Sequence, residues 1–446
     1  MPDVVLVYPP MRGVDHFEHL GIPYLASFLR SKGLSVQIVD AQLEGWKPKR
    51  AAEEISKIPA RIIGVTVPFQ EYALEVLNFI TTLKRSTGAH LVIGGIFPSF
   101  AYREILERFP AIDAVVIGEG EETLYELSKA ILEGKDWRDV KGIAYVEDGQ
   151  VRVTQTRSSI KNLDSLPFPA RDHLPRIYEK TKLSSMITSR GCYASCTFCS
   201  VVPFYSQFGP KVRLRSPENV VDELEELVKG YKVENVVFCD ANFTISKERA
   251  ARIAEEILRR KIKVRYAIES RVTEVDEELF KLLKESGLRR VFLGLESGSQ
   301  TMLDRFRKGV TVQQNLKALE TMAKLDLYVS PGFIMFDDET TLDEVIENLR
   351  FVRLAKRIMG AKIRPIDITN KMLPLAGTEY EKKLKEKGKY EGDVFDFRYK
   401  MNDPVVAFLY HFSVTFSKFL YAAKKLFPGS RLNWDELWMR DQTSSN

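Results

Sequence analysis

Met186-Ile187-Thr188-Ser189-Arg190-Gly191-Cys192-Tyr193-Ala194-Ser195-Cys196-Thr197-Phe198-Cys199 places three of the chain's four cysteines within eight positions, directly after a short strand-forming run. The spacing is C-x3-C-x2-C. Zinc sites usually show paired C-x2-C units and a fourth ligand, and no second cluster or nearby histidine supplies one here. Thiolates readily hold iron–sulfur clusters, and a four-iron cubane held by three cysteines keeps one iron open to another ligand. Inert buried thiols and a zinc-binding interaction module are the competing readings. Four cysteines in 446 residues are too few for a disulfide framework.

The run before the cysteines opens an alternating series. Strand patterns at 186–189, 235–240, 264–269, 290–296, 328–336 and 363–368 are separated by amphipathic segments, clearest at 218–229, 247–260 and 276–286. Six β/α units form a partial TIM-type barrel, whose reactive centre lies at the C-terminal strand ends. The cysteine loop follows the first of those strands. Cys239, alone at the end of the second, reads as a small buried strand residue rather than a fourth ligand.

The N-terminal 140 residues carry a separate series, with strands at 4–8, 36–40, 62–67, 91–95 and 114–118. This is an α/β unit with a five-stranded parallel sheet. Such sheets bind ligands beyond the carboxyl ends of their strands, where Pro9-Pro10, Gly94-Gly95 and Gly118-Glu119-Gly120 fall. A hairpin pattern about Asp148-Gly149 and the connector Leu166-Pro167-Phe168-Pro169-Ala170-Arg171 lead to the barrel. The expected division is 1–140, a linker at 141–180, a barrel at 181–375 and a mainly helical C-terminal region at 376–446.

That last region holds an aromatic segment from Val405 to Phe427, uncharged as far as Ser417 and followed by Lys418, Lys424 and Lys425. It reads as a cap on the barrel; the other reading is a helix in a membrane interface or facing a lipid-like substrate. Its uncharged part is too short to span a bilayer. Sixty-six basic residues against 61 acidic ones give a net charge of +5, with no basic run interleaved with aromatics, so nucleic acid is not an expected partner. The N-terminus lacks the basic flank and cleavage site of a signal peptide, and a cytoplasmic location is expected.

The C-x3-C-x-aromatic-C loop resembles that of the radical S-adenosylmethionine (SAM) enzymes. The resemblance implies a [4Fe–4S] cluster on Cys192, Cys196 and Cys199 whose open iron chelates the methionine end of SAM. Reductive cleavage then yields a 5′-deoxyadenosyl radical. It further implies that Phe198 contacts the adenine, that Asp240 in Phe238-Cys239-Asp240-Ala241-Asn242-Phe243 receives the ammonium, and that Glu269, Arg271 and Glu296 lie near the ribose and carboxylate. Each of these carboxylates could instead serve in a structural ion pair. Phe336-Asp337-Asp338-Glu339-Thr340 departs from the family's Gly-x-Pro-Gly-Glu-Thr segment, whereas Leu373-Pro374-Leu375-Ala376-Gly377-Thr378 keeps its later Pro and Gly-Thr.

The N-terminal unit resembles the flavodoxin-like, Rossmann-type cobalamin-binding domain of one branch of that family. The resemblance rests on Val7-Tyr8-Pro9-Pro10, on 20–26, on Gly94-Gly95-Ile96-Phe97-Pro98-Ser99 and on 118–122. It implies cobalamin held by Pro9, Gly94, Gly95, Gly118 and Gly120. The Asp-x-His-x-x-Gly motif that supplies a cobalt ligand is absent, so no histidine ligand is expected; His16 and His19 read as surface loop residues. The implied activity is cobalamin-dependent methylation of an unactivated carbon. Relatives with the same parts perform cyclisation, ring rearrangement or carbon–carbon bond formation on lipid or tetrapyrrole-like substrates, and a cobalamin carrier or sensor with a structural cluster is the non-enzymatic alternative. A small-molecule or lipid-like substrate and a low-potential donor such as ferredoxin or flavodoxin are the implied partners.

Overall fold

The computed structural model describes residues 1–14 and 17–426, with side chains to Phe419. The readings on His16, on the Lys424 and Lys425 side chains and on Phe427 lie outside the described residues.

Val4-Val5-Leu6-Val7-Tyr8 is buried at all five positions, as a strand covered on both faces must be. This strand, β1 (Val4–Tyr8), pairs in parallel with β2 (Val36–Asp40) and β3 (Ile62–Thr66). Then follow β4 (His90–Gly94) and β5 (Ala114–Val116), also parallel, in the spatial order 2-1-3-4-5 of flavodoxin-like sheets. Helices α1 (Gly21–Ser31) and α5 (Glu121–Leu132) cover one face, and α2 (Pro48–Ser56), α3 (Ala73–Lys84) and α4 (Ile96–Arg108) the other. The sheet does not stop at residue 140. The expected hairpin, β6 (Ile143–Glu147) and β7 (Gln150–Val153), adds two antiparallel strands to its edge. Its turn residues Asp148 and Gly149 both have positive φ.

After α6 (Leu174–Thr181) the second series begins with β8 (Ser184–Met186) and β9 (Ser189–Gly191). The strand expected at 186–189 is thus divided. β8 joins the barrel sheet, while β9 turns away to pair antiparallel with β10 (Val212–Leu214), beyond α7 (Val201–Ser206). The barrel sheet continues with β11 (Asn235–Phe238), β12 (Arg265–Arg271), β13 (Leu288–Glu296) and β14 (Tyr328–Phe333), all parallel. Its outer layer is α8 (Pro217–Gly230), α9 (Lys247–Arg259), α10 (Glu277–Ser286), the short α11 (Gln300–Arg305), α12 (Val312–Lys324) and α13 (Leu342–Met359). The three clearest begin where sequence caps them: Ser216, Ser246 and Asp276 each accept from the backbone N–H three residues on. The sixth strand position is held only by single bridges, Ile363 to Val329 and Lys371 to Phe336. Pro365 in that stretch removes a ladder donor.

The C-terminal region holds α14 (Glu379–Glu386), a small hairpin of β15 (Tyr390–Gly392) and β16 (Phe397–Tyr399), and α15 (Pro404–Leu426). It touches both units. Val406 is buried in the barrel core and Tyr410 packs on Phe336 at 5.5 Å, as a cap requires. Phe395 meets Phe97 and Phe109 of the first unit at 6.1 and 5.6 Å, and Gln70 donates to Val394 O and accepts from Ala376 N. Further along α15, Phe408, Phe412, Phe416 and Phe419 are exposed on one stripe. No helix among the described residues is long and apolar enough to cross a membrane.

Charge joins the first unit to the barrel. Arg171 donates to Glu18 at 2.7 Å and to Glu223 at 2.5 Å, Arg215 donates to Glu223, and Glu18 also accepts from Ser184 Oγ and Ser185 N. All four charged side chains are almost wholly buried. Removing one partner strands the others in low dielectric. Arg171→Met is expected to lower stability by about 3–5 kcal/mol, read from the chemical denaturation midpoint of the cofactor-free protein.

Candidate active site

The cysteine loop is aimed by its approach. Gly191 ends β9 with φ +95°, and a Cβ there would lie 1.8 Å from Lys211 O, so only glycine lets the ribbon close beneath the loop. Thr197 fastens the loop's far side, donating its N–H to Phe306 O and accepting from Tyr380 N. Cys192 is buried and Cys196 and Cys199 are half-buried. All three line one cavity of about 130 Å³, together with Phe198, Glu269, Arg271, Phe292, Glu296 and Lys308.

Arg271 Nη1 lies 3.5 Å from Cys196 Sγ, Nη2 donates to Lys308 O, and Nε is buried without a partner. The guanidinium also lies over the Tyr193 ring at 5.5 Å. Glu296 sits at the strand's irregular end with φ +62°, uncommon for a residue with a side chain, and accepts from Lys308 Nζ at 2.7 Å. Glu269 has no hydrogen-bond partner among the described residues. Burial, then the Asp240 and Glu296 carboxylates, push its carboxyl up to about 7. Burial likewise pushes the Cys199 thiol up to about 11. Phe198 closes the wall, edge-on to Phe306 at 6.0 Å. The thiols share a cavity without converging on the single point a lone ion needs, an arrangement that suits a cluster with one iron per cysteine.

Two expectations are corrected here, and one residue is added. Asp240 does not line the cavity: fully buried, it accepts from Thr188 N at 2.9 Å, Thr188 Oγ1 at 3.0 Å and Ser189 Oγ at 2.5 Å. Its carboxylate is spent on the turn between β8 and β9. Cys239 is exposed rather than buried, because β11 ends one residue earlier. Lys308, only 5% exposed, went unread in the sequence. Its signal was the Arg307-Lys308-Gly309 turn, where positive φ at Arg307 and Gly309 swings the lysine back under Glu296.

A second cavity, about 230 Å³, lies between the first sheet and helices α1 and α5. Gly94, Gly95, Gly118 and Gly120 line it, with apolar walls from Leu6, Leu25, Val65 and Leu124. Gly118 has φ +84° and its Cα faces the Phe208 ring, which a Cβ would meet at 3.3 Å. Barrel residues Ile187, Arg190, Phe204 and Tyr205 complete the wall. The slot accommodates an apolar arm of a large ligand rather than a whole corrin ring. Pro9 does not line it, a further correction, since β1 carries the chain past its edge. His19 is also no free surface residue: its ring packs on Tyr8 and Phe17 at 4.1 and 3.9 Å, its Nε2 pairs with the Tyr8 hydroxyl, and burial lowers its pKa to about 3. Among the described residues no histidine lines this cavity.

Residues 186–352 match the model of the radical SAM superfamily, and residues 14–128 that of the B12 binding domain. The chain is 33% identical over 339 residues to the uncharacterized methyltransferase PH0819 of Pyrococcus horikoshii, an alignment covering 75% of this chain and 72% of that protein. It is 31% identical over 344 residues to the anaerobic magnesium-protoporphyrin IX monomethyl ester cyclase of Cereibacter sphaeroides, covering 74% of this chain and 55% of that one. Its fold matches the cobalamin-dependent S-adenosylmethionine radical enzyme OxsB, solved with aqua-cobalamin and S-adenosylmethionine, with a TM-score of 0.80 and 23% identity across 98% of this chain and 70% of OxsB. With its thiol-lined cavity on the barrel and its glycine-lined slot beside the first sheet, this chain belongs to the radical SAM superfamily and carries that superfamily's barrel behind a B12-binding domain.

Proposed function

We propose that the chain is a cobalamin-dependent radical methyltransferase acting on an unactivated carbon of a small-molecule or lipid-like substrate. The observation that carries this reading is that one short segment walls both cavities: Arg190 lines the glycine slot and Cys192 lines the thiol cavity. When bound, the [4Fe–4S] cluster and SAM supply a 5′-deoxyadenosyl radical, and cobalamin supplies a transferable methyl group. The chain's residues do the rest. Cys192, Cys196 and Cys199 would hold the cluster, and Arg271, which donates to the Cys196 sulfur, has an unpartnered Nε with which it would meet a ligand carboxylate. Glu269, ionised, accepts from a cationic ligand, while Glu296, fixed by Lys308, presents its remaining acceptor capacity. Phe198 and Phe292 exclude water from the reacting atoms. Gly94, Gly95, Gly118 and Gly120 bring backbone close to cobalamin.

The same reading divides the chain into a cobalamin-binding unit whose sheet runs on through Val153, a barrel at 181–375 and a C-terminal cap from residue 376. A ferredoxin or flavodoxin in the cytoplasm supplies the electron. The cyclase relative supports a second reading, in which the same parts close or rearrange a ring without methylation.

Reconstituted, reduced protein is expected to form 5′-deoxyadenosine, and Cys196→Ala to form none. With methyl-labelled SAM, product without label would sink the methylation claim and favour the cyclase reading. SAM binding is expected to tighten by about tenfold between about pH 6 and pH 8 as Glu269 loses its proton, and Glu269→Gln to flatten that dependence in equilibrium dialysis.

The stripe of Phe408, Phe412, Phe416 and Phe419 lies in a stretch, 404–434, whose only formal charges are Lys418, Lys424, Lys425 and Arg431. This pairing of apolar area with cations suits peripheral contact with an anionic lipid surface. The protein is expected to co-float with vesicles containing anionic lipid, and Phe412→Ser with Phe416→Ser to remain in solution; a wild-type protein that does not float removes this contact.

A further inference from the structure

We infer that Arg190 couples the glycine slot to the cysteine loop, so that filling either site changes the affinity of the other. The inference rests on the cobalamin and cluster reading above and adds a positioning residue that neither motif contains.

Arg190 and Arg213 face each other across the β9–β10 ribbon. Both reach into the first unit. Glu119 Oε1 accepts from Arg190 Nη1 and from Arg213 Nη2, each at 2.8 Å, while its Oε2 accepts from Arg213 Nη1 at 2.9 Å and from Ile160 N at 3.0 Å. The second arm of Arg190 donates to Glu121 at 2.5 Å. These four side chains are 3–11% exposed, so two cations and two carboxylates balance with almost no water between them. Glu119 and Glu121 flank Gly120 in the slot's own loop, and the Arg190 guanidinium also lies over Tyr24 of α1 at 5.6 Å.

On its other side Arg190 is two residues from Cys192, and the intervening Gly191 is packed too closely on Lys211 to absorb a shift. Separating buried partners of opposite charge leaves each unpaired, which is far costlier than moving them together. The loop at 118–121 and the start of the cysteine loop therefore move as one body. A ligand that fixes one fixes the other, and binding linkage makes the effect reciprocal.

The test titrates hydroxocobalamin by absorbance, anaerobically, into cluster-free and cluster-loaded forms of the full-length protein. Wild type is expected to bind about tenfold more tightly when the cluster is present. In Arg190→Met the two affinities should converge while bound iron and sulfide are retained, and Arg190→Lys should restore part of the difference. Equal affinities in the two wild-type forms, or a difference that survives Arg190→Met, would overturn the coupling while leaving the cofactor reading intact. Failure of cobalamin to bind either form overturns both. A readout that needs no variant is hydrogen exchange of 192–199 in cluster-free wild type: hydroxocobalamin should slow it several-fold, and unchanged exchange counts against the inference.

Discussion

A single buried carboxylate turns the chain from the barrel into the cysteine loop. Asp240, at the end of the second barrel strand, takes hydrogen bonds from the backbone and hydroxyl of Thr188 and the hydroxyl of Ser189. Arg249 completes the hold by donating to Thr188 O at 2.7 Å. Without these bonds nothing would direct residues 189–191 out of the barrel sheet and against β10, and the ribbon that carries Arg190 and Gly191 would have no reason to form. The segment that walls both cavities inherits its position from that turn.

Enclosed charge holds the two units in register. Arg171 with Glu18 and Glu223, and Arg190 with Glu119 and Glu121, are enclosed pairs whose members come from opposite sides of the junction. Buried ion pairs add little net stability, because desolvation offsets their attraction, but they tolerate few alternative geometries. That suits two cavities that share a wall. An apolar interface could slide by a fraction of a residue at small cost, and a guanidinium held between two carboxylates cannot.

The sequence showed what depends on local spacing. The three cysteines, the glycine loops and the alternation of strands with helices are visible within windows of about twenty residues. What depends on distant partners was hidden. Asp240 looked like a ligand because its neighbours matched a motif, whereas its hydrogen-bond donors lie 51 and 52 residues earlier. Lys308 belongs to no motif, and it is the positive φ of Arg307 and Gly309 that turns it inward. Proline explains the weak sixth strand and could have been given more weight, since a missing N–H at position 365 is legible without coordinates. The ion pairs between units had no periodic signature at all.

The contacts of the C-terminal segment with the first sheet bear on synthesis. Gln70 is satisfied by Ala376 and Val394, and Phe97 and Phe109 are covered by Phe395, all of which are made roughly three hundred residues later. Chains emerge from the ribosome at about 5–20 residues per second, so that flank of the first sheet's core stays open to solvent for about 15–60 s. This unit is translated well before the segment that covers it, and during that interval the faces of Phe97 and Phe109 offer a chaperone an apolar patch to shield.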